Sequence, residues 1–482
     1  MSQFNVTELD FDKIKQSMVD YFKSSPTYAD WNFEGSGLSV LMDVLAYNTH
    51  YNAMLAHLSL NETFLDSAQL RQNVVSHAKL LGYVPRSTLS STAVLDFSLS
   101  PVGTPAASVT VDRGFRFTTT VASVPYTFVN LNPVTALYNS VTGTYQFSYD
   151  STAGKDYRIY AKQGTLKRML YRADTTVSNQ KFVIPDNNVD ITTMRVRVKS
   201  NENTSDYAIY TRFTNLPSVT STSQIYFIQE NPQGLYEIYF GDDNFGVKLA
   251  DNNVVEIEYV FTDGTLANGG TTFKPVDTVT GATWPATVSV TTDSNGPVKT
   301  YGGAVRETVE SIRYNAPLTF VTQNRAVTAD DYKAIIQREV GNIQSINVWG
   351  GEYAETPEWG KVYICIKPTG ADTLSDSEKT AVVALVKTKN VVSITPVIVD
   401  PVYTYLALDV FFKYNPNLTD NPLSTLQSDV RSTVTTYNND NLDRFDGVFR
   451  ASQLLRSVDA TDPSILNSDV RVYMYKIGRA HV

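Results

Sequence analysis

Residues 34–85 constrain the fold of this chain more than any other stretch, because two segments with helical apolar periodicity lie there and end at Pro85. A short helix that is apolar over more than one face needs cover from more than one side, and its own domain supplies little of it. The pattern therefore predicts an assembly arm that is covered by other chains. One apolar stripe, the predicted interface, contains Leu38, Leu41, Leu45, Tyr51, Leu55 and Leu58. A second stripe beside it contains Val40, Val44, Tyr47 and Met54.

Length and composition bound the class of protein. With 482 residues, the chain is long enough for roughly two to four domains with ample cores. Its 29 Tyr and 22 Phe residues favour β-rich structure with extensive contact surfaces. No continuous apolar run of about 18 residues occurs, so we expect no membrane insertion. The single cysteine, Cys365, excludes a disulfide within the chain and fits maturation in a reducing cytoplasm.

The charge balance argues against a nucleic-acid-binding protein, because a net charge of −9 does not supply the basic face that phosphates require. One local cluster, within residues 155–172, is basic, because Asp156 is the only carboxylate among its six cations. Three interpretations of it stay open: an exposed pair of strands with lysine-protected edges, a basic dock for an acidic partner subunit, or a nucleic-acid contact. The cluster contains Lys155, Arg158, Lys162, Lys167, Arg168 and Arg172.

The patterns along the chain predict an α+β multidomain fold. Residues 1–85 form the N-terminal helical arm for an interchain bundle. Alternation with period 2 predicts a β-rich region over 86–300, divided into two subdomains. Helices and strands then alternate over 301–400 and again over 401–476, which we expect to be two α+β domains.

Capping motifs mark the helix starts in the C-terminal half. Thr328 with Asp331 and Ser375 with Glu378 have the spacing of capping boxes, and we expect Ser424 to cap a third helix. Strands are predicted over 343–348, 361–366 and 403–414. The strand over 403–414 contains few polar side chains, so we expect both of its faces to be buried against other parts of the protein or another chain. We therefore expect 401–476 to be an oligomerisation domain whose self-association involves Tyr403, Tyr405 and Phe411.

Residues 477–482, Ile-Gly-Arg-Ala-His-Val, have no periodicity and follow an alternating strand without a turn or cap. A widely used sequencing adapter encodes the same six residues when read in frame. We expect a non-native tail on a truncated C-terminal domain, and a genuine frayed terminus is the alternative.

No residue pattern in the sequence indicates catalysis, a cofactor or a metal. Asp242 and Asp243 are adjacent carboxylates, but the spacing around them fails the calcium-loop template, and we expect a hairpin turn there. His50 and His57 are seven residues apart, which is not the one-turn spacing of helical metal ligands. We therefore predict a protein that is not an enzyme.

Several segments resemble the baseplate J-like family, and among its members the wedge proteins of T-even-like contractile-tailed phages. The strongest are residues 301–308 (YGGAVRET), 316–320 (APLTF) and 322–332 (TQNRAVTADDY). Residues 239–242 (YFGD), 112–117 (DRGFRF) and 61–66 (NETFLD) add to the resemblance, although Asp243 replaces the glycine that is commoner after Gly-Asp.

The resemblance implies a structural subunit of a phage tail baseplate, assembled in the host cytoplasm and carried in the virion tail. It implies homodimers within each wedge, a helical bundle with a second wedge protein, and links between neighbouring wedges in a ring around the tail hub. The ring is expected to rearrange when the sheath contracts. Arg325 precedes the helix capped by Thr328 and is a further predicted interface residue.

Two alternatives stay open on the sequence alone. One is a baseplate component of a cellular contractile injection system, which the neighbouring genes would distinguish. The other is a β-rich receptor-binding or glycan-degrading tail protein, which the helical N-terminal region disfavours.

Overall fold

The computed structural model describes residues 10–24, 37–151, 154–213, 219–293, 296–323, 325–341, 343–354, 356–369, 372–419, 421–445 and 447–476. Over these residues a helical N-terminal region precedes a β-rich middle and mixed α/β C-terminal domains, so the predicted fold class is confirmed. The predicted non-native tail, 477–482, lies outside the described residues.

The N-terminal region contains the helices α1 (Phe11–Lys23), α2 (Gly37–Asn61) and α3 (Arg71–Leu80). Helix α1 packs against α2, where Ile14 on the first helix and Met42 and Ala46 on the second are buried. Lys15 Nζ lies 2.6 Å from Asp43 Oδ1 and adds an ion pair between the same helices. The two helices therefore pack together, and α1 covers only one side of α2.

The described residues of the β-rich middle form 21 strands, alternating inward apolar and outward polar residues in many of them. They are β1 (Thr92–Pro101), β2 (Ser108–Val111), β3 (Arg116–Val121), β4 (Val124–Asn130), β5 (Val134–Asn139), β6 (Thr144–Phe147), β7 (Tyr149–Asp150), β8 (Lys155–Asp156), β9 (Ile159–Gln163), β10 (Thr165–Arg172), β11 (Phe182–Val183), β12 (Val189–Lys199), β13 (Ala208–Arg212), β14 (Ile225–Glu230), β15 (Tyr236–Phe240), β16 (Val254–Phe261), β17 (Thr272–Pro275), β18 (Ala282–Thr283), β19 (Val288–Val290), β20 (Thr292–Asp293) and β21 (Gly296–Pro297).

Two sheets organise these strands. In the first, strands pair in the order β19-β17-β3-β4-β9-β1, and β19 pairs again with β1, which closes a barrel. The second sheet has the order β10-β16-β12-β13-β14-β15-β11 and is inserted in the chain between two strands of the first. Aromatic side chains fill much of the barrel core, including Phe97, Phe117, Phe128, Phe147 and Phe273.

The two ends of the β-rich middle lie side by side. Leu89 pairs with Ala304 and Thr92 with Tyr301 in antiparallel bridges. The chain then enters helix α4 (Val309–Thr322), which packs against α3. A small core between these two helices contains Ala68, Val74, Val75, Ala78, Tyr83, Ile312 and Ala316. The arm is thus joined directly to the C-terminal half of the protein.

The following domain contains α5 (Ala329–Glu339), β22 (Ile343–Gly350), β23 (Lys361–Pro368), α6 (Asp376–Lys387) and β24 (Thr395–Val399). Both predicted capping boxes are confirmed: Thr328 and Asp331 exchange side-chain to backbone hydrogen bonds, as do Ser375 and Glu378. Cys365 is buried in β23, and burial raises the pKa of its thiol to about 11, so it acts as a core residue.

The last domain contains β25 (Thr404–Tyr414), α7 (Leu423–Tyr437), α8 (Ala451–Asp459) and β26 (Ile465–Lys476). The predicted Ser424 cap is wrong, because α7 begins one residue earlier, after Pro422, and no side chain caps it. Both helices pack on one face of the two-stranded sheet, over Leu408, Val410 and Phe412.

Candidate functional site: exposed assembly surfaces

The exposed side of helix α2 is the largest apolar surface of the arm. Its members range from 37% exposed at Leu58 to 64% exposed at Tyr47. A monomer rarely presents so many contiguous apolar side chains to water, so this surface is a candidate interface. We call it the arm face; it contains Val40, Leu41, Val44, Leu45, Tyr47, Tyr51, Met54, Leu55 and Leu58.

The structure brings five of the six predicted arm residues together on this face: Leu41, Leu45, Tyr51, Leu55 and Leu58. The side chain of Leu38 lies outside the described part of the structure. The second predicted stripe lies on the same exposed side, so the two stripes form one broad face. Arg325 is exposed in the turn before α5, away from the arm.

A second exposed surface lies on the C-terminal sheet, on the face opposite its helices. Tyr405 and Phe411 on β25 and Tyr473 on β26 lie on this face, and each is about half exposed. Tyr473 lies near Tyr405, whereas Phe411 pairs with Asp469 further along the sheet. The Arg471 guanidinium lies 5.3 Å from the centroid of the Phe411 ring. Tyr403 differs from the other two predicted residues, because its hydroxyl donates to the Asp372 carbonyl of the preceding domain. The face is therefore carried by Tyr405 and Phe411.

The signature segment around residue 307 forms a buried junction rather than an interface. The Glu307 carboxylate accepts hydrogen bonds from the Tyr83 hydroxyl at 2.7 Å and the Arg86 backbone N–H at 2.9 Å. It also accepts from Ser311 Oγ at 2.7 Å and Asn315 Nδ2 at 3.1 Å. Burial and the adjacent carboxylate raise the pKa of the Tyr83 phenol well above its usual range, so this hydroxyl stays a donor.

An ion-pair triad extends the junction to the second sheet. Glu230, at the end of β14, is buried and accepts from Arg71 Nε at 2.9 Å, and it lies 2.8 Å from the Arg306 guanidinium. The Arg71 guanidinium also donates to the Glu307 carbonyl. We call the whole set the Glu307 junction. Sequence reasoning missed it, and the available signal was an adjacent Arg–Glu pair in an otherwise uncharged run.

The carboxylates that suggested chemistry have structural roles. Asp242 accepts backbone N–H groups of Phe245 and Asn244, which lower its pKa, and the Asp243 N–H donates to the Gly246 carbonyl. The residues thus form a turn, as expected, but the hairpin interpretation is wrong, since β15 pairs with β14 and β11 and not with β16.

Metal and membrane features are also absent from the part of the chain that the structure describes. No three His, Cys, Asp or Glu side chains gather there to hold a metal ion. Within the same residues, no helix has the length and apolar character needed to cross a membrane. His77 Nε2 lies 2.9 Å from the Glu62 carbonyl oxygen, between the arm helices and α3, which is a structural contact.

The basic cluster of 155–172 is largely neutralised within the chain. Lys162 Nζ donates to Thr92 Oγ1 at 2.8 Å, and the remaining contacts are ion pairs. This arrangement favours the interpretation as exposed strands over a nucleic-acid contact. The ion pairs are Arg158 with Asp156, Lys167 with Asp186, Arg168 with Glu256, and Arg172 with Glu202.

Comparison with known proteins places these features in a family. Four family models match this chain, in sequence order. The helical domain of gp6-like baseplate wedge proteins matches residues 10–83, and the third domain of the bacteriophage baseplate wedge protein gp6 matches 168–266. C-terminal domains I and III of the baseplate structural protein gp6 match residues 328–399 and 402–477.

Two individual proteins are also similar to this chain. Baseplate wedge protein gp6 of Enterobacteria phage T4 is 27% identical over 488 residues, which cover 97% of this chain and 70% of that protein. A chain of the anti-feeding prophage baseplate, solved by cryo-EM, aligns over 96% of this chain and 93% of its own, but its TM-score of 0.34 and 12% identity are too low to show a common fold. The gp6 domains matched in order confirm the resemblance seen in the sequence: the chain belongs to the gp6-like baseplate wedge proteins of T4-like phages.

Proposed function

We propose that this protein is a wedge subunit that joins a partner wedge protein through its arm, pairs with a second copy of itself, and links neighbouring wedges into a ring around the tail hub. The ring rearranges when the sheath contracts. Its place is the baseplate of the virion tail, and its assembly takes place in the host cytoplasm. The family supports a structural role in the baseplate.

The arm face is the observation that carries this proposal. Helix α2 uses one side against α1 and leaves Leu41, Leu45, Tyr51 and Leu55 exposed on the other. A packed pair of helices with an apolar outer side is half of a helical bundle, and helices from another chain complete it. A receptor-binding or glycan-degrading protein has no need of such a helical pair.

The proposal is tested by co-expressing the protein with the products of its neighbouring genes. Negative-stain images of the purified complex should show wedge-shaped particles that contain two copies of this chain. Particles that form equally well without residues 1–61 would contradict the arm's role. Complexes with a single copy would contradict the homodimer.

The outer face of the C-terminal sheet is the proposed self-association surface. Phe411→Asp should weaken a concentration-dependent dimer by about tenfold or more, because it replaces a half-exposed apolar ring on this face with a charge. Light scattering over a concentration series measures this. Asn439→Asp is the matched control, since it adds the same charge at an exposed position after α7. A wild-type protein that stays monomeric, or a dimer equally weakened by both variants, would contradict the assignment.

We also propose that the protein has no catalytic turnover. Alanine at Asp242, Asp243, His50 or His57 should reduce assembly only as far as it reduces the amount of folded protein. The described contacts of the two aspartates are those of a turn. Hydrolysis of cell-wall or capsule glycans is measured by release of reducing ends. Reproducible release that any one of these substitutions abolishes would overturn the structural role.

A further inference from the structure

A groove lies against the second sheet; its first part is on the face opposite the core, and its second part reaches the edge strand β11. It consists of two adjoining cavities of about 530 and 620 Å³, whose linings share Lys79, Gln229 and Tyr239. The last turn of α3, the strands β14 and β15, and the end of α5 border the first cavity. The groove is separate from both the arm face and the outer face of the C-terminal sheet.

Three neighbouring aromatic rings line the first cavity, two of them stacked and the third tilted by 39°. The Phe227 and Tyr239 rings are paired across neighbouring strands, with centroids 5.1 Å apart and planes 14° from parallel. The Phe213 ring lies 5.0 Å from Phe227 on the other side. All three side chains are partly exposed. They therefore provide an apolar surface against which another ring or apolar side chain can pack.

The walls of the groove are basic, although the chain as a whole carries a net charge of −9. Seven cationic side chains line it against four carboxylates. The cations are Lys79, Arg86, Lys181, Arg212, Lys248, Arg338 and Lys389, and the carboxylates are Asp174, Glu230, Asp242 and Glu339.

The four carboxylates already have partners within the chain. Glu230 belongs to the Glu307 junction, where it is held by two arginines that do not line the groove. Asp174 and Asp242 accept backbone N–H groups of their own turns. Glu339 contacts Arg338 at 2.7 Å and Lys389 at 3.2 Å. Lys181 is likewise paired with Glu237, at 2.8 Å. These ion pairs offset part of the positive charge, and Lys79, Arg86, Arg212 and Lys248 supply the rest.

The cations are close enough to affect one another. Burial lowers the pKa of Lys389, and the Arg338 and Arg212 charges lower it further, although Glu339 opposes them. A partly desolvated site with an excess of like charge gains stability when an anionic group enters it. The groove thus has the electrostatic character of an anion-binding site and the shape of an elongated one.

We propose that this groove binds an extended acidic segment of another protein, with its carboxylates on the groove's cations and an aromatic or apolar side chain on the Phe227–Tyr239 stack. A short acidic peptide fits better than a nucleic acid, because a chain with a net charge of −9 repels a long polyanion more strongly than a short one. The planar guanidinium groups of the groove's arginines can bind carboxylates through two parallel hydrogen bonds.

Binding is measured by fluorescence anisotropy with a labelled peptide of alternating glutamate and tyrosine and the full-length protein. The combination Lys79→Glu with Arg212→Glu should weaken binding by about tenfold or more, since each substitution removes a charge-assisted hydrogen bond and adds a carboxylate that repels the peptide. Lys274→Glu with Lys299→Glu is the matched control, with the same charge change at exposed positions outside the groove. Tyr239→Leu should weaken binding independently of charge.

Three outcomes would overturn the proposal: no binding of the peptide to the wild-type protein, equal weakening by the groove and control variants, or competition by a single-stranded oligodeoxynucleotide that binds as tightly as the peptide. The last outcome would identify a phosphate-binding groove instead. Lys79 is exposed and lines both cavities, so Lys79→Glu alone decides the matter if the double variant does not fold.

Discussion

Glu307→Ala is expected to lower the free energy of unfolding by about 3–5 kcal/mol, because it removes the acceptor of a buried hydrogen-bond network. Glu307 is only 3% exposed. Without its carboxylate, the Tyr83 hydroxyl, the Arg86 N–H and the Asn315 amide lose an acceptor in the interior. The Glu307→Gln variant should also be destabilised, since its amide nitrogen would face donors instead of accepting from them.

Thermal unfolding and limited proteolysis measure this effect. We expect a lower midpoint, together with faster cleavage between α3 and β1, where the junction holds the chain. Glu310→Ala is the control, because Glu310 is exposed in the first turn of α4, three residues after Glu307, and should change the midpoint little. Equal stability of the Glu307 and Glu310 variants would show that the junction does not hold the arm to the C-terminal half.

Leu45→Asp is expected to abolish co-purification with the partner wedge protein while leaving the rest of the chain folded. The substitution places a charge in the arm face, at a position that is 46% exposed in the single chain. The cost arises only when the partner covers the position, and a charge at the centre of such an interface typically costs about 2–4 kcal/mol. Binding should therefore weaken by roughly thirtyfold or more.

Thr49→Asp is the matched control for the arm, since Thr49 is already polar and lies one helical turn from Leu45. Both variants should have the circular dichroism and thermal midpoint of the unmodified protein. Undiminished binding by Leu45→Asp would show that the arm face is not the contact surface. Equal loss in both variants would point to a general effect of charge on α2.

The features that could be predicted from the sequence are local ones. The capping boxes at Thr328 and Ser375 depend on residues three positions apart, and both are present in the structure. The helical spacing of the arm likewise requires no knowledge of distant contacts. Ser424 failed as a cap because Pro422, with its fixed φ, supplies the extended residue that precedes the helix.

The missed features depend on contacts between distant parts of the chain. The barrel closes through β1 and β19, which are nearly two hundred residues apart in the sequence. The Glu307 junction joins Arg71, Glu230 and Arg306 across similar separations. The cations of the groove are spread over the sequence from Lys79 to Lys389, so no run of basic residues in the sequence indicates the groove. Such sites arise from topology, which periodicity and composition do not encode.

The bridges at the ends of the β-rich middle have a mechanical consequence. Thr92 and Tyr301 are hydrogen-bonded neighbours, and all strands of the two sheets lie between them in the sequence. The segment that contains both sheets therefore leaves and rejoins the rest of the protein at one place. Tension on the arm passes from α3 through the Tyr83–Glu307 contact into α4, and so reaches the C-terminal domains without crossing the barrel. The two sheets can therefore keep their structure and move as a unit when the two ends of the protein are pulled apart.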